Sequence, residues 1–218
     1  MAKTLTEDEI AGKRQDLIAV ATQILEKEGF QALTLRRLAT DAGISRSTPY
    51  LYFEDKSDLL NKVCVDAFKY LISLCRDAMA PQESILDQLT ALGRCYMQFG
   101  VDRPVLYRLV FAPENPDDEI SPEVQEIAEE YRSLFQGPMQ QAYEKGYFNV
   151  PPDRLGPVLW ASMHGVLCLR WAGHLTEEDA FRQVRDDMEM ILSIGFINRE
   201  KIEEINSVIK NRAKEGFR

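Results

Sequence analysis

At 218 residues, with 45% hydrophobic and 28% charged side chains, the chain has an ordinary globular composition and enough material for one large or two small domains. No basic segment followed by an apolar run stands near Met1, and the longest apolar stretch, Val158 to Leu169, is interrupted by His164 and too short to span a bilayer, which excludes a secretory or membrane reading and favours a cytoplasmic one. The net charge of −9 gives no hint of nucleic acid. Its distribution is more informative: residues 34 to 56 carry four basic side chains (Arg36, Arg37, Arg46, Lys56) against three acidic ones (Asp41, Glu54, Asp55).

Apolar residues recur at helical spacing almost throughout, with Gly, Pro and Asp at the breaks, which predicts an all-α protein of about ten helices. The first helix is expected from Gly12 to Glu28, closed by Gly29. Thr34 is placed to cap a short helix ending near Ala42, and Gly43 to close it. Ser45 then caps a second short helix reaching Tyr52, and Asp55 or Ser57 opens a long one to Met79. Helices are expected next over Ser84 to Gly100 and from the Asp102 cap to Phe111, and residues 113 to 119 read as an acidic, Pro-rich loop. Ser121 and Pro122 start another long helix, and Gly146 to Pro152 is a loop. A very apolar helix runs from Asp153 to Gly173, one from Thr176 to Gly195, and a last amphipathic one from Arg199 to Lys214. The four cysteines (Cys64, Cys75, Cys95, Cys168) stand far apart in apolar helical segments without metal-ligand spacing. They read as buried packing residues, with a redox-sensing thiol as the alternative.

Residues 35 to 53 combine a helix, a glycine turn and a short polar helix. Leu35, Leu38 and Ala39 supply a buried face, and Gly43 supplies the positive φ of a tight turn. Arg46, Ser47, Thr48 and Tyr50 remain on a short helix of the kind that enters a major groove. The run LTLRRLATDAGISRSTPYLYFEDKSDLL resembles the N-terminal segment of the TetR family of regulators, over about residues 12 to 60. Pro49 departs from the aliphatic residue usual there, so the recognition helix is expected to start late or to be 3₁₀-like. The resemblance implies phosphate contacts from Thr34, Tyr50 and Lys56. Arg36 and Arg37 lie where the first helix crosses the DNA backbone, Arg46 and Thr48 are candidates for base reading, and Ser45 and Ser47 flank them. Tyr52 and Phe53 read as core.

The segment VLWASMHGVLCLRWAG resembles a TetR subgroup with a Trp-x-x-x-His-Gly motif, here Trp160, His164 and Gly165. The resemblance implies that this helix and the next pair with the same helices of a second copy. Trp160, Gly165, Cys168, Met188, Ile191 and Leu192 would lie at that seam, and Gly165 points to a close helix approach there or within the subunit. Phe68, Tyr96, Phe99, Tyr107 and Phe111 are candidates to line a largely apolar effector pocket. So are Tyr131, Phe135, Met139 and Trp171, with His164 either a polar anchor there or a core residue. Residues 1–58 would then form a three-helix helix-turn-helix domain and residues 59–218 a helical ligand-binding and dimerisation domain.

The implied function is that of a homodimeric bacterial regulator, by default a repressor, released from a near-palindromic double-stranded DNA operator by an unidentified small molecule, with no metal, cofactor or membrane partner. No Gly-rich phosphate loop, nucleophile elbow or metal motif supports an enzyme. The rival is an all-helical interaction protein that has lost DNA binding, as the acidic total charge would allow.

Overall fold

Thr6 sets the start of the chain's first helix. Its hydroxyl accepts from the Glu9 amide at 3.2 Å while the Glu9 carboxylate accepts from the Thr6 amide at 2.9 Å, a capping box that begins α1 (Glu7–Glu28) five residues before the expected Gly12. In the computed structural model, which describes residues 6–112 and 120–201, the described residues form eight α-helices and two short 3₁₀ turns, with no strand among them. The Pro-rich stretch 113–119 and all but the first three residues of the expected helix 199–214 lie outside the described residues; Arg199–Lys201 form a 3₁₀ turn.

After α1 come α2 (Leu35–Asp41), the 3₁₀ turn Thr48–Leu51 and α3 (Lys56–Met79). They are followed by α4 (Ile85–Asp102), α5 (Pro104–Phe111), α6 (Pro122–Glu144), α7 (Pro152–Trp171) and α8 (Glu178–Phe196). The described residues divide into two compact units, one drawn from Met1–Ser73 and Asp102–Tyr131, the other from Leu74–Val101 and Arg132–Arg218.

In the first unit, α1 buries Leu17, Ile18, Ala21, Ile24 and Leu25, and packs against α2 and α5. Arg103, at the N-cap of α5, pairs with Glu26 of α1, and the Arg108 guanidinium lies 5.7 Å from the centre of the Phe30 ring. Lys62 of α3 pairs with Glu123 of α6. These contacts explain why α5 and the start of α6 belong to the same packing unit as the N-terminal helices, although they come long after them in sequence.

In the second unit, Met139, Ala142, Phe148 and Leu155 form a buried cluster joined by Leu86, Leu89, Phe135 and Phe196. The loop after α6 is tied to the end of α8: the Asn149 amide donates to Phe196 O, and the Asn198 amide to Tyr147 O, both at 2.9 Å. α7 and α8 pack on each other, with Arg170 paired to Glu178 and stacked 4.2 Å from the Phe181 ring centre.

The cysteines are not uniformly buried. Cys64 and Cys75 are, Cys95 is half-buried and Cys168 is exposed. Separation in sequence does not keep them apart either, because Cys75 and Cys95 are hydrogen-bonded across α3 and α4.

Candidate nucleic-acid interface

The turn between α2 and the next element is fixed by main-chain bonds. The Ala42 amide donates to Leu38 O at 2.9 Å and the Ile44 amide to Ala39 O at 3.0 Å, closing α2 around Gly43, whose φ of 66° suits a residue without Cβ. At the other end the Thr34 hydroxyl accepts from the Arg37 amide at 3.0 Å, so Thr34 is the cap of α2, as expected. Leu35, Leu38 and Ala39 are buried, with Leu38 and Ala39 fully so.

Pro49 decides the form of the next element. An α-helix capped at Ser45 would need the residue-49 amide to donate to Ser45 O, and proline has none. Instead the Thr48 amide reaches Ser45 O at 3.0 Å, and the Tyr52 amide reaches Pro49 O at 3.0 Å, which gives the 3₁₀ turn Thr48–Leu51. Ser45 therefore caps no α-helix. Its hydroxyl is hydrogen-bonded to those of Ser47 (3.0 Å) and Thr48 (2.8 Å), a small hydroxyl cluster at the entry to the turn. Pro49 itself is buried, and Phe53 (1% exposed) and Tyr52 (8%) sit in the core.

The outer face of the turn is different. Tyr50 is 62% exposed and Leu51 78% exposed, although both are large and partly or wholly apolar. Leu51 is not among the sequence candidates; Pro49, Tyr52 and Phe53 in the same run PYLYF are core residues, and the 3₁₀ winding turns Leu51 outward beside Tyr50. A shallow depression of about 320 Å³ borders this face, between Leu51, Tyr50 and Arg14.

The four cations of the segment are not equivalent. Arg37 is held by carboxylates: its Nε donates to Asp41 and its Nη2 to Glu28 at 2.7 Å, with Asp41 first and Glu28 second in raising its pKa above the usual arginine value. Arg36 and Arg46, both exposed, make no ion pair among the described residues. Lys56, the first residue of α3, donates from Nζ to Phe30 O at 2.7 Å, which anchors the ammonium with two of its protons still available. The preceding loop is held by two further caps, Asp55 accepting from the Asp58 amide at 2.8 Å and Asp58 from the Glu54 amide at 3.1 Å.

The remaining expected residues fall into separate places. Phe68, Tyr107, Phe111 and Tyr131 form one ring cluster in the first unit, with centroids 4.9–6.0 Å apart. Phe135 and Met139 belong to the buried cluster of the second unit, and Tyr96 and Phe99 are buried in α4. Trp171 is half-buried at the end of α7. His164 lies against Trp160 at 5.8 Å between ring centres, the contact expected of positions four apart on a helix, and burial holds its pKa below the usual histidine value.

On α7, Trp160 (47%) and Cys168 are exposed. On α8, Ile191 (63%) is exposed, and Met188 and Leu192 are half-buried. Val158, Leu169, Met190 and Ile194 share this exposure without being among the sequence candidates. Among the described residues a Cβ at Gly165 would meet nothing within 4 Å, so no crossing between them accounts for that glycine. Among the described residues there is no group that could hold a metal ion, and no helix long and apolar enough to cross a membrane.

Comparison with known proteins agrees with this geometry. Residues 17–63 match "Bacterial regulatory proteins, tetR family", and residues 89–190 match "Tetracyclin repressor-like, C-terminal domain". A relative is the transcriptional repressor KstR2 of Mycolicibacterium smegmatis, 28% identical over 87 residues, 40% of this chain and 42% of that protein. The chain thus spans about half or less of the length of such curated relatives. A Rhodococcus protein of unknown function shares the fold at a TM-score of 0.73 with 24% identity, over 85% of this chain and 95% of its own. The regulator FadR of Bacillus subtilis, solved in complex with stearoyl-CoA, does so at 0.65 with 14% identity, over 81% of this chain and 96% of its own. With its N-terminal helix-turn-helix and its C-terminal helical region both matched, the chain belongs to the TetR family of bacterial regulatory proteins.

Proposed function

We propose that the protein is a DNA-binding transcriptional regulator, by default a repressor, that reads its operator as a homodimer through residues 34–56. The observation that carries this is the outer face of the 3₁₀ turn, where Tyr50 and Leu51 stand 62% and 78% exposed in the same segment as Arg36 and Arg46, which make no ion pair among the described residues. A major groove would cover the two side chains and neutralise the two cations together. Arg46 and Thr48 then read base edges, with Ser45 and Ser47 beside them, and Arg36, Tyr50, Lys56 and Thr34 contact the backbone. Arg37 takes a supporting part, neutralising Glu28 and Asp41 so that the segment stays positive in an acidic chain.

In this division of labour residues 1–58 read DNA, and residues 59–218 pair and sense. Pairing through α7 and α8 is supported by their exposed apolar residues Trp160, Leu169, Met190, Ile191 and Ile194, and by the open space at Gly165. An apolar or amphipathic effector is supported by the ring cluster Phe68–Tyr107–Phe111–Tyr131, and FadR, with its acyl-CoA, offers a precedent for that ligand class on this fold. Such a ligand shifts the dimer between spacings only by its differential affinity for the two states. Retention of a random duplex library as a function of salt tests the reading. A steep fall with rising salt is expected, whereas negligible, salt-independent retention favours the protein-interaction alternative.

A further inference from the structure

Cys75, near the end of α3, is fully buried, and Cys95, midway along α4, is partly open to solvent. The Cys95 thiol lies 3.6 Å from the carbonyl oxygen of Leu74, the residue before Cys75, and the two thiols are hydrogen-bonded to each other. That bond pulls Cys95 down to about 7 against the opposing effect of burial, and with burial it pushes Cys75 well up. Cys64 is the contrast: its thiol donates to the Leu109 carbonyl at 3.9 Å, and burial pushes it up to about 12. A partly exposed sulfur with thiolate character beside a sheltered second thiol is the arrangement in which oxidation ends in a disulfide.

We propose that Cys75 and Cys95 form a reversible dithiol–disulfide switch, oxidised by hydroperoxides, that resets the position of α3. The Cys95 thiolate attacks the O–O bond, which breaks; sulfur is oxidised to sulfenic acid, and the alkoxide or hydroxide released takes up the proton that Cys95 had lost. The Cys75 sulfur then attacks the sulfenic sulfur. The S–S bond forms, the S–O bond breaks, and the Cys75 proton leaves with the hydroxyl as water. In sum, two thiols lose two hydrogens and the hydroperoxide becomes an alcohol, or water, plus water.

The bond has a mechanical consequence. Closure shortens the separation of the two sulfurs from hydrogen-bonding contact to the about 2.05 Å of a disulfide, so it draws the end of α3 toward α4. α3 is continuous back to Lys56, roughly 28 Å from Cys75 along the helix, and a tilt at one end is carried to the other. The effect on DNA rests on the function proposed above; the bond itself does not.

The test treats the full chain with hydrogen peroxide and follows intact mass, unreduced peptide maps and hydrogen exchange, with and without selected operator DNA. A mass lower by two hydrogens, a Cys75–Cys95 peptide, reversal by dithiothreitol and altered protection within α3 are expected. Operator affinity should fall about tenfold or more in the wild type and be unaffected by peroxide in Cys95→Ser and Cys75→Ala. Oxidation to sulfinic acid at Cys95 without a cross-link, or oxidation confined to Cys168, overturns the pair. A cross-link that changes neither α3 protection nor affinity overturns the switch. Hydrogen exchange needs no DNA, so failure to bind any operator would count against the proposed function and leave the test of the switch independent. Cys95→Ser, at a half-buried site, keeps the control available if Cys75→Ala does not fold.

Discussion

Lys56 is assigned two jobs, and replacing it separates them. Its Nζ donates to Phe30 O at 2.7 Å from a partly buried position at the first turn of α3, and the proposal gives its remaining protons to a DNA phosphate. Lys56→Ala removes one charge-assisted hydrogen bond, worth about 1.5–3 kcal/mol when well formed and toward the lower figure at a half-exposed site. For a chain of this length that lowers the melting temperature by roughly 3–6 °C. On DNA, the loss of one phosphate contact lowers the magnitude of the slope of log K against log salt by about 0.9, equally for every sequence. Fluorescence anisotropy titrations at a series of salt concentrations read the slope, and calorimetry reads the stability. Lys56→Arg, which keeps the charge, should restore the slope. A stability loss with an unchanged slope in Lys56→Ala would mean that the ammonium merely ties α3 to the Phe30 carbonyl, and the phosphate assignment would fail.

Arg46→Ala should leave stability within about 0.5 kcal/mol, since the side chain is exposed and unpaired; it should relax base preference by about 1–3 kcal/mol at one operator position, and unchanged selection profiles would remove it from base reading. Leu51→Ala, at a side chain 78% exposed, should likewise spare folding but weaken preference at a thymine contacted through its methyl group, while an unchanged profile would place Leu51 outside the groove. The double change Ile191→Asp and Ile194→Asp, both 63% exposed, should convert a dimer to monomers in sedimentation without loss of helix content; a persistent dimer would place the seam elsewhere. Iodoacetamide labelling of Cys95 should rise as pH passes through about 7, because the thiolate is the nucleophile, and in Cys75→Ala the rise should move up toward the ordinary thiol range. Labelling curves that superimpose would show that Cys75 does not stabilise the Cys95 thiolate.

Much of the fold is legible in the sequence because its signals are local. Thr34 caps α2, Gly43 takes positive φ, and Leu35, Leu38 and Ala39 are buried as expected. Apolar periodicity alone starts α1 too late, at Gly12, although the Thr6–Glu9 capping box that begins the helix is itself a sequence signal. Pro49 shows both sides: its missing amide predicts a late or 3₁₀-like helix, and the hydrogen bonds bear that out, yet the outward turn of Leu51 comes only from the winding itself. The hidden features are non-local. Nothing in the sequence spacing brings Cys95 to Cys75, pairs Arg37 with Glu28 nine positions away, or ties Asn198 to the loop after α6; these depend on how segments distant in sequence pack. The candidate interface is therefore found by register, while the charge pairing that leaves Arg36 and Arg46 as its available cations is visible only in the folded chain.

The most direct test of the central claim is the DNA that the purified full chain selects from a random duplex library, sequenced over several rounds. A near-palindromic motif is expected, with half-sites about one helical turn apart, roughly 34–36 Å, whose base preference blurs in Arg46→Ala. A selected pool with no enriched sequence at low salt would contradict it.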